Sequence, residues 1–378
     1  MSSIYLLMNK DNPIIEFSLE SGMLDYVCKE TNRYKDNLPC WLNDIDAWVE
    51  SRNYAKHKEH FKKWLKEWGI DNKKGFIEIT HALGLNDTLW IKGKSSKLTW
   101  EEVNLYNNEF TDVAEKTAFE TGLAGLKLSS SSPEITAEGS FEKCWKKQQD
   151  NIYIYKKGSS GFANAGLEPY SEFYASQIAK TFDKKAVQYD LEMYKGSLCT
   201  RCGMFTSEDV GFVPFYKYHI GENTTMQKVF EACKELGYEA EFRKMIVFDS
   251  IIFNPDRHTG NFGYLIDNET FEIKAFSPLF DYNYSLLCRA MSDDFENIEA
   301  YLDTQGHKLG GSYEYVAKAF MSAECEDIIE SLGTIRFQRH NKYNLEEKRL
   351  ETLERILNKQ AKSLIKRNNY SNKKGKRL

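Results

Sequence analysis

Apolar and polar positions alternate near the start of the chain in two short runs, IYLLMN and PIIEFSL, which flank the turn sequence DNP. Such alternation between turn residues is typical of strands. Further on, Phe61, Trp64, Leu65 and Trp68 recur at helical spacing and predict a helix with one core-facing stripe. The first third therefore predicts a mixed α/β module, and we find no chemical motif in it.

A compositional break separates this module from the rest. A run of four serines follows GLAGLKL and precedes Pro133; its members are Ser129, Ser130, Ser131 and Ser132. The run predicts a linker or loop, and we place a domain boundary near Gly125. EITAEGSFEKCW and NIYIYKKG then predict a hairpin, PYSEFYASQIAKTF a helix, and AVQYDLEMY and GMFTSEDVGFVPFY further strands. The pattern turns helical from Thr224, and strands followed by helices favour an α+β fold.

Composition excludes several classes of protein. The chain has 378 residues, 41% apolar and 28% charged, which is typical of a soluble globular chain of about two or three domains. No apolar run approaches the roughly 20 residues that span a bilayer. The first residues lack the basic start and small-residue cleavage site of a secretion signal. With eight scattered cysteines, these features predict a reduced, cytoplasmic protein that does not contact a membrane.

The net charge and two closely spaced pairs of possible metal ligands add little to the functional prediction. The net charge is −5, and seven basic residues from Lys362 onward, with no acid among them, leave −12 on the rest. This tail predicts a solvated end, so direct nucleic-acid contact is not expected. His57 with His60, and Cys199 with Cys202, have the spacing of half a metal site. Neither has a second pair nearby, so structural or surface roles are preferred.

The candidate chemistry lies in IIFNPDRHTGNFGYLID and in FSPLFDYNYSL, which follows it. Asp256 is followed by Asn261 five residues later and by Asp281 twenty-five residues later. Phosphoryl transfer requires a carboxylate near the attacking hydroxyl, oxygen ligands for Mg²⁺ and cations at the phosphates. An Asp-Arg-His triplet alone could be a surface turn, but this order of Asp, Asn and Asp is that of protein kinases. We expect His258 to have a structural role in the loop.

Upstream residues fit the same order. Lys156 ends the apolar run IYIY, where a kinase places its phosphate-pairing lysine, although Lys157 competes for that role because adjacent strand residues face opposite sides. Glu172 follows in the predicted helix and is preferred to Glu168, which precedes Pro169, as the ion-pair partner.

Two further positions complete the predicted nucleotide site. Gly139 lies among the small residues of TAEGS, where we expect backbone amides to approach the phosphates of the nucleotide. The region around Phe205 falls where a hinge between two lobes would lie.

The segment NPDRHTGNFG at residues 254–263, with Phe280-Asp281 after it and Lys156 and Glu172 before it, resembles that of HipA-family kinases. These are a bacterial group with a protein-kinase-like fold. The resemblance spans about residues 126–378. It implies an α+β, two-lobed fold with an N-lobe at 126–208 and a helical C-lobe at 209–378. An extra N-terminal α/β module, residues 1–125, precedes them.

The resemblance also implies roles and partners. Asp256 resembles the catalytic aspartate, Asn261 and Asp281 the magnesium ligands, and Lys156 the nucleotide lysine. The implied cofactors are ATP and Mg²⁺, and the implied reaction is phosphorylation of Ser or Thr in a protein, often a translation factor such as an aminoacyl-tRNA synthetase. The family often acts as a toxin beside a small DNA-binding antitoxin. Its autophosphorylation makes the serine run a candidate target.

The sequence departs from the pattern in ways that leave two alternatives. It lacks the G-x-G-x-x-G loop of eukaryotic kinases, and Tyr282-Asn283 follows Asp281 in place of Phe-Gly. The DRHxxN element is shared with phosphatidylinositol kinases, so a lipid kinase is one alternative. A pseudokinase that binds a nucleotide or partner without catalysis is the other.

Overall fold

The computed structural model describes residues 3–53, 69–109, 142–149, 151–161, 164–219 and 225–366. Their strands are β1 (Ile4–Asn9), β2 (Asn12–Ser21), β3 (Tyr26–Arg33), β4 (Leu89–Gly93), β5 (Lys143–Gln148), β6 (Asn151–Lys157), β7 (Asp190–Tyr194), β8 (Ser197–Gly203), β9 (Val210–Pro214), β10 (Gly263–Asp267) and β11 (Ile273–Phe276). Their α-helices are α1 (Ile45–Arg52), α2 (Lys73–Thr80), α3 (Trp100–Val103), α4 (Glu168–Phe182), α5 (Phe215–Tyr218), α6 (Met226–Glu235), α7 (Glu239–Ile251), α8 (Ile298–Asp303), α9 (Tyr313–Phe320), α10 (Ala323–Leu332) and α11 (Glu347–Lys366).

The chain forms two compact units whose segments interleave in sequence. The first unit consists of Met1–Lys156, Gly203–Ile220 and Gly263–Ser277, and the second of Lys157–Cys202, Gly221–Phe262 and Pro278–Leu378. The predicted boundary near residue 125 lies outside the described residues. The division into an N-terminal module, an N-lobe and a C-lobe stays a prediction.

The first unit is built on an antiparallel sheet with the order β3-β2-β1-β4. The hairpin predicted around the DNP turn is confirmed, since Asn9 at the end of β1 pairs with Asn12 at the start of β2. A second sheet, with the order β11-β10-β9, contributes Val213 and Ile266 to the same apolar core, and the turn between β10 and β11 contributes Phe271. Residues from far along the chain therefore stabilise the N-terminal sheet.

The hairpin predicted from EITAEGSFEKCW and NIYIYKKG also lies in the first unit. Its described strands, β5 and β6, are antiparallel, and Gln148 pairs with Asn151 at the turn. This part of the prediction is confirmed.

Gly263, the last residue of the NPDRHTGNFG segment, is explained by packing. It begins β10 and pairs with Pro214 of β9. A Cβ added to it would lie 2.2 Å from the carbonyl oxygen of Val213. Any side chain here would force the two strands apart, so this glycine has a structural role.

The second unit is mainly helical. Its first helix, α4, is the one predicted from PYSEFYASQIAKTF, and Pro169 sits in its first turn, where a missing N–H costs nothing. The strand pair β7 and β8 follows; β8 was not predicted, and it carries Cys199 and Cys202, both buried. Helix α7 buries Phe242 and every residue of its second half, from Met245 to Ile251. In the part of the chain that the structure describes, no helix is long and apolar enough to cross a membrane.

Candidate active site

A carboxylate is buried in the last turn of α7. Asp249 is fully shielded from solvent among Ile246, Val247, Phe248 and Ile251. A charge in such surroundings is costly unless it is paired and hydrogen-bonded. Its partner comes from the loop at residues 254–263, which we call the aspartate loop.

Arg257 supplies that partner. Its guanidinium, 1% exposed, donates from Nε to Asp249 Oδ2 at 2.7 Å and from Nη2 to Asp249 Oδ1 at 3.0 Å. Asn254 donates from Nδ2 to Oδ1 at 2.8 Å. Burial alone would lower the pKa of Arg257, but the Asp249 carboxylate outweighs it and holds that pKa above its ordinary value. The bidentate pair fixes the loop to the end of α7.

The same guanidinium joins two separate chain segments. Its Nη1 donates to the carbonyl oxygen of Asn261 at 2.7 Å and to that of Phe280 at 2.9 Å. The backbone carbonyls of Asn261 and of Phe280, the residue before Asp281, therefore meet at one nitrogen atom of Arg257. The sequence did not predict this role for Arg257.

Asp256 lies at the open side of the aspartate loop. Its backbone N–H donates to Asn254 Oδ1 at 3.1 Å, and its carbonyl accepts from Asn261 Nδ2 at 3.3 Å. Its carboxylate is partly exposed and accepts from Lys308 Nζ at 2.7 Å. Nδ1 of His258 accepts the Gly260 N–H at 3.0 Å, a structural role in the loop. The carboxylate of Asp256 is thus open to solvent, whereas that of Asp249 is not.

Asp281 has a strained backbone. Its φ is 62°, in the left-handed region that residues with a side chain seldom adopt. Its N–H donates to the phenol oxygen of Tyr189 at 3.1 Å. Such conformations persist where the surroundings fix them, and they are concentrated at functional sites.

Glu172 belongs to the same unit. It is buried in α4 and accepts a hydrogen bond from Thr200 Oγ1. Burial raises the pKa of Tyr189 well above its ordinary value, and the carboxylates of Glu172 and Asp281 raise it further. Tyr189 therefore stays protonated between these two acidic residues.

The donor set fits magnesium. The side-chain nitrogen of Asn261 donates a hydrogen bond to the Asp256 carbonyl. Its side-chain oxygen, Oδ1, is therefore the atom that can bind a cation. Asp281, the other predicted ligand, has a carboxylate to offer. Mg²⁺ prefers a few protein oxygens completed by water and phosphates. Among the described residues, no group of three or more His, Cys, Asp or Glu could hold a metal ion.

The remaining predicted residues lie in the first unit or outside the described residues. Lys156 is in β6 of the first unit, paired in register with Lys143, and Phe205 packs edge-to-face on Phe212 at 5.5 Å. The ion pair between Lys156 and Glu172 stays a prediction. Gly139 and the serine run, Ser129, Ser130, Ser131 and Ser132, lie outside the described residues, as do His57 and His60.

Sequence reasoning missed Asp249, Tyr189 and Lys308. For Asp249 a signal existed, since it is the one charge within MIVFDSIIF. A lone charge in an apolar helix predicts a buried partner. For Lys308 no sequence signal existed, because it lies 52 residues beyond Asp256.

His307, next to Lys308, is held as a neutral ring. Ser250 donates its hydroxyl hydrogen to the Ile246 carbonyl at 2.8 Å, so its oxygen accepts from His307 Nε2, also at 2.8 Å. Nδ1 is then the unprotonated atom, and it is buried without a partner in the described part of the chain. Burial lowers the pKa of His307 to about 4.

This shift predicts a pH-dependent stability. The unfolded chain takes up a proton on His307 near pH 6.5, whereas the folded chain resists it down to about 4, so the contribution is complete above about pH 6.5 and is lost as the pH falls toward about 4. His307→Gln keeps an N–H donor but does not titrate. We expect its free energy of unfolding in urea to fall less than that of the wild type between about pH 7 and about pH 5. Equal losses would contradict the assignment.

Comparison with known proteins gives matches in structure alone. No family model and no curated protein matches the sequence. The proinflammatory kinase CtkA of Helicobacter pylori is 18% identical, with 61% of this chain and 90% of that chain covered and a TM-score of 0.45.

HipA of Shewanella oneidensis MR-1, solved in complex with HipB and its operator DNA, is similar over nearly the whole chain. The match covers 96% of this chain and 97% of that chain at 11% identity, with a TM-score of 0.51. At this identity the likeness shows the fold. The chain has a HipA-like kinase fold, as the sequence predicted.

Proposed function

We propose that this protein is a kinase that transfers the γ-phosphoryl group of Mg·ATP to Ser or Thr of a protein substrate. One observation supports it most: Arg257, in the loop that carries Asp256 and Asn261, binds the carbonyl of Asn261 and that of Phe280, the residue before Asp281. A carboxylate for the acceptor hydroxyl and oxygen ligands for magnesium are what phosphoryl transfer needs in one place.

Asp256 has the central role in the proposed reaction. Its carboxylate orients the acceptor hydroxyl and takes its proton as the hydroxyl oxygen bonds to the γ-phosphorus. The bond from that phosphorus to the bridging oxygen breaks, and ADP leaves with the electron pair. Asn261 and Asp281 would hold Mg²⁺, which supplies neutralisation of the phosphate charge.

The nucleotide would be held by residues predicted from the sequence. We assign the phosphate lysine to Lys156, its partner to Glu172, phosphate-binding backbone to Gly139 and the hinge to Phe205. The serine run stays a predicted target of autophosphorylation. Because the Shewanella HipA was solved with HipB, an antitoxin-type partner is part of the proposal. A translation factor or aminoacyl-tRNA synthetase remains the proposed class of substrate.

The acceptor separates this proposal from its alternatives. The purified protein is incubated with γ-labelled ATP and Mg²⁺ in three arms: a generic Ser/Thr-containing protein, vesicles that contain phosphatidylinositol, and no acceptor. Label on protein supports the proposal, and label on lipid alone supports a lipid kinase. Nucleotide binding without transfer or hydrolysis supports a pseudokinase.

Asp281 and Asn261, the proposed magnesium ligands, should contribute unequally to the affinity for Mg·ATP. A carboxylate holds Mg²⁺ more tightly than a neutral amide, so Asp281→Ala is expected to weaken Mg·ATP binding by more than about tenfold and Asn261→Ala by less. Calorimetric titration of both variants, with Asp267→Ala as the control for loss of a carboxylate elsewhere, measures this. An unchanged affinity in Asp281→Ala would remove that residue from the metal site.

A further inference from the structure

The aspartate loop lacks an available cation of its own. Arg257 is its one Lys or Arg, and its guanidinium is buried on Asp249 and two backbone carbonyls. A phosphoryl group in transfer spreads negative charge over its outer oxygens, and enzymes place cations against that charge. The cation near Asp256 must therefore come from another segment.

Lys308 reaches that position. Its Nζ lies 2.7 Å from Asp256 Oδ1, and its side chain is 50% exposed. An ammonium has three N–H donors, and the bond to Asp256 uses one of them. A half-exposed lysine can therefore keep this bond and offer its other donors to an anion.

The fold builds a rigid base for Lys308. The loop at residues 306–311 is closed by bonds from His307 N–H to the Gly311 carbonyl at 3.0 Å and from Gly310 N–H to the His307 carbonyl at 2.9 Å. Gly310 and Gly311 have positive φ, and a Cβ on Gly306 would lie 2.5 Å from the Gly311 oxygen. The closure of this loop depends on glycine.

One helix end positions both Asp256 and Lys308. His307 binds Ser250 of α7, and the adjacent Asp249 binds Arg257 of the aspartate loop. Two consecutive residues of α7 thus fix the segments that carry the carboxylate and the ammonium. The segments that carry the pair are therefore held by buried contacts on both sides.

We propose that Lys308 is a catalytic residue that contacts the phosphoryl group during transfer while its bond to Asp256 orients that carboxylate. The inference rests on the proposed function and adds a residue to it. The opposite role is an inhibitory pair, in which Lys308 occupies Asp256 and must leave before a substrate binds. The two roles predict opposite effects of removing the ammonium.

The chain offers a closely matched control. Lys274 binds Asp267 at 2.7 Å with side-chain exposures of 48% and 23%, against 50% and 26% for Lys308 and Asp256. The control pair lies in the first unit, where Asp267 ends β10 and Lys274 is in β11. Lys274→Ala therefore reports the loss of an equivalent exposed ion pair without a phosphoryl-transfer role.

The first measurement is steady-state transfer to a generic Ser/Thr-containing protein. We expect Lys308→Ala to lower kcat by about 10²- to 10³-fold with the KM for ATP changed little, as for other groups that bind charge developed in a transition state. Lys308→Arg should recover part of that loss, and Lys274→Ala should match the wild type. A kcat for Lys308→Ala that equals or exceeds the wild-type value would overturn the proposal.

The second measurement does not depend on turnover. Mg·ADP is titrated calorimetrically with and without trifluoromagnesate, a planar mimic of the phosphoryl group in transfer. Lys308→Ala should weaken binding of the complex with the mimic by at least about tenfold more than it weakens Mg·ADP alone. Equal effects on both would overturn the role of Lys308. Failure of the wild type to bind Mg·ADP would instead overturn the proposed function, and the inference with it.

Discussion

Asp256→Asn is expected to lower the rate of phosphoryl transfer by about 10²- to 10⁴-fold, because an amide cannot accept the proton of the attacking hydroxyl. The substitution keeps the size of the side chain. The partly exposed position of Asp256 allows the change without opening a cavity. Transfer to a generic protein acceptor, measured at saturating Mg·ATP, gives the effect, and the unfolding midpoint shows that the fold is kept.

Asp267→Asn is the matched control for this experiment. Asp267 is also a partly exposed aspartate bonded to a lysine at 2.7 Å, and it lies in the first unit. Its variant should transfer phosphate at the wild-type rate. If Asp256→Asn also kept near wild-type turnover, Asp256 would not be the catalytic base.

Asp249→Ala should have the largest effect on stability. It leaves the buried Arg257 guanidinium without its charge partner, and breaking a buried ion pair in this way costs about 3–5 kcal/mol. We expect the free energy of unfolding in urea to fall by that amount. Lys274→Ala breaks the pair with Asp267, an exposed pair of the same bond length, and should cost less than about 1 kcal/mol. Similar losses for the two would contradict the buried role of Asp249.

A double variant separates stability from function. Asp249→Leu combined with Arg257→Met removes both charges and should regain much of the lost stability, as for other buried pairs replaced by apolar residues. It also removes the bonds from Arg257 to the carbonyls of Asn261 and Phe280. We therefore expect a folded protein with little phosphoryl transfer. A folded and fully active double variant would show that these bonds are dispensable.

Local patterns predicted the elements that depend on local physics. Alternation gave the β1–β2 hairpin, and helical spacing with an early proline gave α4. The order of Asp256, Asn261 and Asp281 predicted a kinase-like fold, which the likeness to HipA confirms. These features depend on neighbours in sequence or on a short motif.

The interleaved units could not be predicted in the same way. Val213, Ile266 and Phe271 share a core with the N-terminal sheet, although more than a hundred residues separate them from it in sequence. Likewise, the contact of Lys308 with Asp256 spans 52 residues. Such contacts depend on tertiary packing, which no single-sequence periodicity records.

The most direct test of the central claim is the fate of the γ-phosphoryl group. Purified protein is incubated with Mg·ATP and a Ser/Thr-containing protein, and the modified residues are mapped by mass spectrometry. We expect phosphoserine or phosphothreonine on the added protein with the wild type, and little or none without Mg²⁺ or with Asp256→Asn. Bound ATP whose γ-phosphoryl group reaches no protein residue under these conditions would contradict the proposed kinase activity.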